Sequence, residues 1–213
     1  MHTTFAKFLT NKNKISQVML SFLLPVWLFG CAAKVEQTPL QPTQEWLANK
    51  AQLEKIQHFE VKGKVTFSSA TQNIAANFQW QQQQDNINLR LTHFLGGTLL
   101  KLELDASGVR IIDHQGNQHV GEEMSSLIAK LTGVNLPVAA LSSWLKGLPV
   151  GDNHYQLNNL NTLTSLSQYP TANLGWQIGY SNYARYNGVL LPRAITMTQP
   201  GQQVTLAVSQ WRF

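Results

Sequence analysis

The chain has 213 residues, with 16 Lys and Arg against 11 Asp and Glu and a formal net charge of +5. Lys7, Lys12 and Lys14 all precede the first acid, Glu36, so from residue 31 onward the balance is only 13 basic to 11 acidic side chains. This excludes a nucleic-acid footprint, since no basic run tracks phosphates, and the single cysteine excludes an intrachain disulfide.

That cysteine, Cys31, closes the apolar run Val18-Met19-Leu20-Ser21-Phe22-Leu23-Leu24-Pro25-Val26-Trp27-Leu28-Phe29-Gly30. A basic start, an apolar middle and a small residue just before a cysteine make a lipoprotein-type signal peptide over residues 1–30. Cys31 then becomes the first residue and carries a thioether-linked diacylglycerol and an acylated amine. The alternatives are an anchor that is never cleaved and a buried free thiol. Against the first, the run is shorter than the ~20 apolar residues of a spanning helix, and Pro25 interrupts it. Three acyl chains at ~0.8 kcal/mol per buried CH₂ hold a protein on a membrane. In signals of this type an aspartate after the cysteine retains the product at the inner membrane. Here Ala32 follows, which favours the outer membrane.

Residues 31–44 hold Pro39 and Pro42 and no periodic pattern. They read as a lipidated tether, able to span about 40 Å if extended. Residues 45–213 then form one domain, with enough chain for a sizeable core. A helix is predicted over 45–57, with Thr43 as cap and Trp46, Leu53 and Ile56 at helical spacing. The period then changes to two. Val61, Gly63, Val65 and Phe67 alternate with polar residues, as do Ile74, Ala76, Phe78 and Trp80, then Ile87, Leu89 and Leu91, then Leu100, Leu102 and Leu104. Val109–Ile112 and Gln118–Val120 flank a hairpin turn at Asp113-His114-Gln115-Gly116. This is an antiparallel meander with one apolar face. Met124, Leu127, Ile128 and Leu131 then follow helical spacing, with Gly133 placed to end the helix. Pro137 can begin another, which presents Leu141, Trp144 and Leu145 and stops at Gly147. Strands return over 155–157, 163–168, 176–180, 193–198 and 203–211, and Trp176, Ile178 and Tyr180 share one face of theirs. Ten or eleven strands in a chain this short should curl. The expected fold is mainly β with α: an incomplete antiparallel β-barrel with helices covering an apolar cavity.

Catalytic signatures are absent: no G-x-S-x-G elbow, P-loop, H-E-x-x-H or dinucleotide fingerprint. Asp113, His114 and His119 surround a turn, but a metal needs three or four converging ligands, so no metal is assigned. Glu122 and Glu123 suit a helix N-terminus. No catalytic residue is nominated, and a binding protein is expected. One loop stands out. His93-Phe94-Leu95-Gly96-Gly97 joins two strongly alternating strands, yet a hairpin tip is normally polar. Phe94 and Leu95 either fold back into the core or face an acyl phase, where each returns roughly 1.5–3 kcal/mol.

The stretches Phe78-Gln79-Trp80-Gln81-Gln82, Leu91-Thr92-His93-Phe94-Leu95-Gly96-Gly97-Thr98, Lys130-Leu131-Thr132-Gly133 and Trp144-Leu145-Lys146-Gly147-Leu148-Pro149 together resemble the LolB family of outer-membrane lipoproteins. The likeness covers essentially the whole chain after the leader, including the tryptophans at 46, 80, 144, 176 and 211. It implies a receptor that accepts acylated client lipoproteins from a LolA-like periplasmic carrier and inserts them into the inner leaflet of the outer membrane. It places the membrane-inserting leucine at Leu95, and it departs from the family pattern at His93-Phe94, where Asn-Pro is expected. The acyl-chain candidates are Phe67, Phe78, Trp80, Leu89, Leu91, Leu102, Leu104, Leu127, Trp144 and Trp176, each of which could equally be ordinary core. The expected partners are the carrier, the clients with their acyl chains, and outer-membrane phospholipid. No nucleic acid is expected, and no cofactor beyond the lipid on Cys31. The protein should be a monomer, lipid-anchored on the periplasmic face. The competing reading is a structural or assembly lipoprotein that binds a protein or glycan through a filled barrel. A lipid-directed hydrolase is a third, opposed by the missing nucleophile motif.

Overall fold

The computed structural model describes residues 42–132, 134, 136–151, 154–168 and 175–213, with the side chains of residues 131 and 132 left out. The leader, Cys31, most of the tether and Gly133 lie outside the described residues.

Thr43 caps the first helix as expected. Its Oγ1 accepts the Trp46 N–H at 3.1 Å, satisfying one of the free donors of a helix N-terminus. Helix α1 (Gln44–Glu54) follows, one residue into the expected tether and three residues shorter at its far end. Trp46 is fully buried. Its ring tilts against Tyr155 at 5.7 Å, and its Nε1 donates to the Tyr155 hydroxyl at 3.2 Å.

Six strands then meander: β1 (His58–Ser69), β2 (Asn73–Gln83), β3 (Asn86–Thr92), β4 (Thr98–Asp105), β5 (Gly108–Asp113) and β6 (Gln118–Gly121). Two helices interrupt, α2 (Met124–Thr132) and α3 (Val138–Leu145). The Glu123 carboxylate caps α2 by accepting the N–H groups of Ser125 and Ser126 at 3.1 and 2.8 Å. The return half is β7 (His154–Leu157), β8 (Leu163–Ser167), β9 (Gln177–Ser181), the small hairpin β10 (Ala184–Tyr186) and β11 (Val189–Leu191), then β12 (Ala194–Gln199) and β13 (Gln202–Arg212).

Eleven of these strands make one antiparallel sheet, in the order β6-β5-β4-β3-β2-β1-β13-β12-β9-β8-β7. The order explains the architecture. The meander grows outward from β1, the return half grows outward from β13, and the seam between β1 and β13 joins first strand to last. The two edge strands, β6 and β7, are not paired with each other, and the chain between them is the α2–α3 segment. The barrel is therefore incomplete, as expected.

The seam carries the one irregularity that matters for packing. Pairing steps from Lys62 with Gln210 to Gly63 with Val208, which leaves Ser209 as an extra residue. A bulge of this kind reverses side-chain parity. Val204, Leu206 and Val208 thus face inward together with Trp211, and all four are buried. Ser209 ties the bulge down by donating its hydroxyl to the Lys62 carbonyl at 3.1 Å. Only glycine fits opposite. A Cβ on Gly63 would stand 2.1 Å from the Ala207 carbonyl oxygen and 2.9 Å from the Phe78 ring.

Inward side chains align in rows across the strands. One row runs Trp211, Val61, Trp80, Leu89, Leu102 and Ile111. Met124, Ile128, Val138, Trp144 and Leu145 from the helical segment join these residues in a single buried core. The stretch 144–148 is the most tightly held part of that segment. Trp144, Leu145, Gly147 and Leu148 are buried, Gly147 turns the chain at φ +74°, and Lys146, only 7% exposed, donates Nζ to the Ile56 carbonyl at 2.9 Å. Burial pulls the Lys146 amine below its usual pKa, while the Phe59 ring, 5.6 Å away, favours its charge.

Candidate functional site

The β3–β4 hairpin carries the candidate site. Its five-residue tip is held by backbone bonds at both ends: the His93 N–H donates to the Gly97 carbonyl, and the Gly96 N–H to the His93 carbonyl, each at 3.0 Å. His93 organises the top. Its Nδ1 accepts the Leu95 N–H at 3.3 Å, and its ring lies 4.2 Å from that of Phe94. Gly96 and Gly97 sit at φ +92° and +87°, conformations that other residues strongly resist. The outcome for the two apolar residues is unambiguous. Phe94 is 73% exposed and Leu95 is 81% exposed, so neither folds back into the core. No proline is needed for this shape, because the two glycines and the His93 imidazole supply it.

Below the tip an apolar track leads inward. The cross-strand pair Leu91 and Leu100 is half-buried, and the next pair is Leu89 with Leu102, of which Leu102 is 1% exposed. Exposure thus falls from tip to interior along one face of one hairpin. The same end of the sheet shows a second partly open apolar patch, where half-buried Phe67 pairs with Ile74, itself 48% exposed.

The ten interior candidates divide along these lines. Phe78, Trp80, Leu102, Trp144 and Trp176 are buried members of the core, whereas Phe67, Leu89, Leu91, Leu104 and Leu127 are half-buried and pack against it. The fold therefore brings all ten into one apolar interior. Sequence reasoning did not find two polar atoms within it. The Tyr180 hydroxyl and the Trp144 Nε1 are both buried, and neither has a hydrogen-bond partner among the described residues. Burial raises the Tyr180 phenol well above its usual pKa, so it remains a neutral donor. Alternation did place Tyr180 inward beside Trp176 and Ile178, but alternation says nothing about whether a hydroxyl has a partner.

The polar candidates form no catalytic or ligand constellation. His119 lies 3.1 Å from the Asp113 carboxylate, which also accepts from Asn117 and Gln115, so these residues build their own turn. Among the described residues no group of three or more His, Cys, Asp or Glu could hold a metal. No helix there is long and apolar enough to cross a membrane.

This architecture, an open antiparallel barrel with helices over an apolar interior, is shared by known proteins. A LolA superfamily protein from Nitrosomonas europaea superposes with a TM-score of 0.50 at 12% identity, over 81% of this chain and 94% of its own. A DUF1329 family protein from Desulfovibrio piger gives 0.53 at 8% identity, over 79% and 90%. The sequence is more specific than the fold. Residues 57–211 match the family described as LolB, outer membrane lipoprotein LolB. The outer-membrane lipoprotein LolB of Vibrio cholerae is 34% identical over 86% of this chain and 90% of its own length. That of Aeromonas hydrophila is 33% identical over 90% and 98%. The chain belongs to the LolB family of outer-membrane lipoproteins.

Proposed function

We propose that this protein takes acylated lipoproteins from a LolA-like periplasmic carrier, shelters their acyl chains in its apolar interior, and releases them into the inner leaflet of the outer membrane. The observation that carries the reading is the continuous apolar surface of the β3–β4 hairpin, from exposed Leu95 to buried Leu102. A filled scaffold has no use for an exposed Phe-Leu pair at a tip. A protein that passes acyl chains between water-excluding phases needs both ends of that track.

The chain's own residues divide the work. Phe94 and Leu95 enter the bilayer, returning roughly 1.5–3 kcal/mol each. Leu91, Leu89, Leu104, Phe67 and Leu127 line the approach, and Phe78, Trp80, Leu102, Trp144 and Trp176 form the deep wall. The Tyr180 hydroxyl and Trp144 Nε1, without partners among the described residues, can donate to the ester and amide carbonyls of a diacylglyceryl cysteine. The α2–α3 segment, which bridges the two unpaired sheet edges, is the part that must give way as chains enter. Transfer needs no nucleotide and no covalent step. An affinity difference of 1.4 kcal/mol biases each handover tenfold. The protein's own lipid, on Cys31, holds it at the periplasmic face of the outer membrane, where a monomer suffices.

The test is quenching of tryptophan fluorescence by a triacylated peptide with brominated chains. Occupancy of the interior should quench Trp80, Trp144 and Trp176, and the same peptide without acyl chains should leave the emission unchanged. Absence of quenching by the acylated peptide would instead make this a structural lipoprotein that binds a protein or glycan.

A further inference from the structure

The convex face of the sheet, opposite the apolar interior, carries a groove of about 530 Å³ across β13, β1, β2 and β3. Lys62, Lys64, Arg90 and Arg193 line it, and no carboxylate does. The strand register explains the crowding. Lys62, Gln79, Arg90 and Lys101 occupy one cross-strand row, and Lys64, Asn77 and Thr92 the next. Adjacent strands are ~4.8 Å apart, and like charges directly opposite, as Arg90 and Lys101 are, destabilise a sheet.

Acids relieve part of this and leave the rest. Glu60 pairs with Lys62 at 2.8 Å, and Glu103 with Lys101 at 2.5 Å. The Lys62 ammonium and the Gln81 amide hold the Glu60 carboxyl below its usual pKa, so Lys62 stays neutralised. Lys64, Arg90 and Arg193 have no carboxylate partner among the described residues. Among the described residues the Arg193 side chain donates one bond, from Nε to the Val208 carbonyl at 3.5 Å. Asn77, Gln79, Thr92 and Ser209 add neutral polar groups around these three cations. A second hollow, of about 430 Å³, continues the groove past Arg193, Ala207 and Val208.

The groove's position decides what fills it. Thr92 on its rim is three residues from Leu95, at most ~10 Å of chain. The headgroup layer on each side of a bilayer is ~5–8 Å deep. With Leu95 among acyl chains, the rim of the groove stands at the level of the phosphates. We infer that this convex groove binds the phosphate headgroup of an anionic phospholipid, through Lys64, Arg90 and Arg193, while the neighbouring tip is inserted. The inference rests on the insertion of Leu95 described above. The groove would fix the tilt of the barrel, turning its convex wall toward the headgroups around the tip.

The experiment is flotation of the chain beginning at Ala32, whose core lies wholly between Trp46 and Trp211, with two kinds of vesicle. One is phosphatidylcholine alone and the other contains phosphatidylglycerol. Each basic residue near an anionic surface contributes roughly fivefold. Lys64→Gln with Arg90→Gln should therefore weaken binding to the anionic vesicles about 25-fold, and adding Arg193→Gln should take this to roughly 100-fold. Binding to neutral vesicles should not change, and salt should erase the difference. The double variant leaves the Arg193 bond to Val208 intact, so the test survives if the triple variant unfolds. Leu95→Glu, in contrast, should weaken binding to both vesicles. If it weakens neither, the insertion reading fails. If Leu95→Glu behaves as expected but the double variant floats like the native chain on anionic vesicles, the groove does not bind lipid. Loss of carrier binding with vesicle binding intact would assign the groove to an acidic protein surface and also overturn the proposal.

Discussion

Two hairpin tips lie at the same end of the sheet, one on each side of β4, and they are built in opposite ways. The β5–β6 tip is closed by polar bonds. The Asp113 carboxylate accepts from the Asn117 amide at 3.0 Å, the N–H groups of Gln115 and Asn117 at 2.9 and 3.0 Å, and meets His119 at 3.1 Å. The β3–β4 tip has a similar frame of backbone bonds but points Phe94 and Leu95 outward. The first tip spends its polar groups on one another and leaves no large apolar side chain at its turn. The second departs from that solution at a cost in solvation, and we propose that the difference marks where a non-aqueous phase is met.

Leu95→Glu should have the largest effect of any single change at this end. It replaces a side chain that gains roughly 1.5–3 kcal/mol in acyl chains with a charge that loses there. Partitioning onto neutral vesicles should fall 100-fold or more. The melting temperature should stay within a degree or two, because exposed positions affect stability little. A transplant sharpens the contrast. His114→Phe with Gln115→Leu in the Leu95→Glu background should restore part of the partitioning, since both tips end the same side of the sheet. It should restore little acyl delivery, because no exposed-to-buried apolar track descends from the second tip.

Phe94→Ala comes next. It should weaken partitioning about tenfold, the low end of the range for an aromatic side chain, since the Phe94 ring already shares contact with His93. The smallest effect belongs to the polar tip. Asp113→Asn should lower thermal stability slightly and leave delivery unchanged. The Asn117 amide, with His119 and the local N–H groups, holds the Asp113 carboxyl well below its usual pKa. A depressed carboxylate stabilises the fold above the ordinary value of ~3.9. That contribution disappears as pH falls through the lower folded value. Acid titration followed by near-ultraviolet circular dichroism should therefore show the native chain resisting acid further than Asp113→Asn.

Much of this was legible in the sequence because the signals are local. Period-two alternation in residues 61–67, 74–80, 87–91 and 100–104 gave four strands of the meander, and Thr43 marked the start of α1. Trp176, Ile178 and Tyr180 fell on one face as expected. The Asp113 turn and the apolar character of the 93–97 tip followed from residue type alone. What escaped was mostly long-range. The pairing of β1 with β13 spans nearly the whole domain, and the Ser209 bulge that turns Trp211 inward depends on that pairing. The β10–β11 hairpin is local yet still hard to read from sequence. Asn187-Gly188, at φ +49° and +84°, is a hairpin turn that sequence alone can signal. Its strands, each three residues long, are too short for period-two alternation to show. Sequence could nominate ten interior residues but not rank them. Burial separates Leu102 from Leu91 only once the sheet has curled.

The most direct test of the central claim is single-turnover transfer, with uptake and release read separately. A LolA-like carrier loaded with a radiolabelled lipoprotein would be mixed with the chain beginning at Ala32, native or Leu95→Glu, and then with liposomes. Both forms should take cargo from the carrier, and only the native form should pass it to the liposomes. If Leu95→Glu delivers as well as the native chain, the exposed tip is not the delivery element. If neither form takes cargo, the interior is an ordinary core and the receptor reading is wrong.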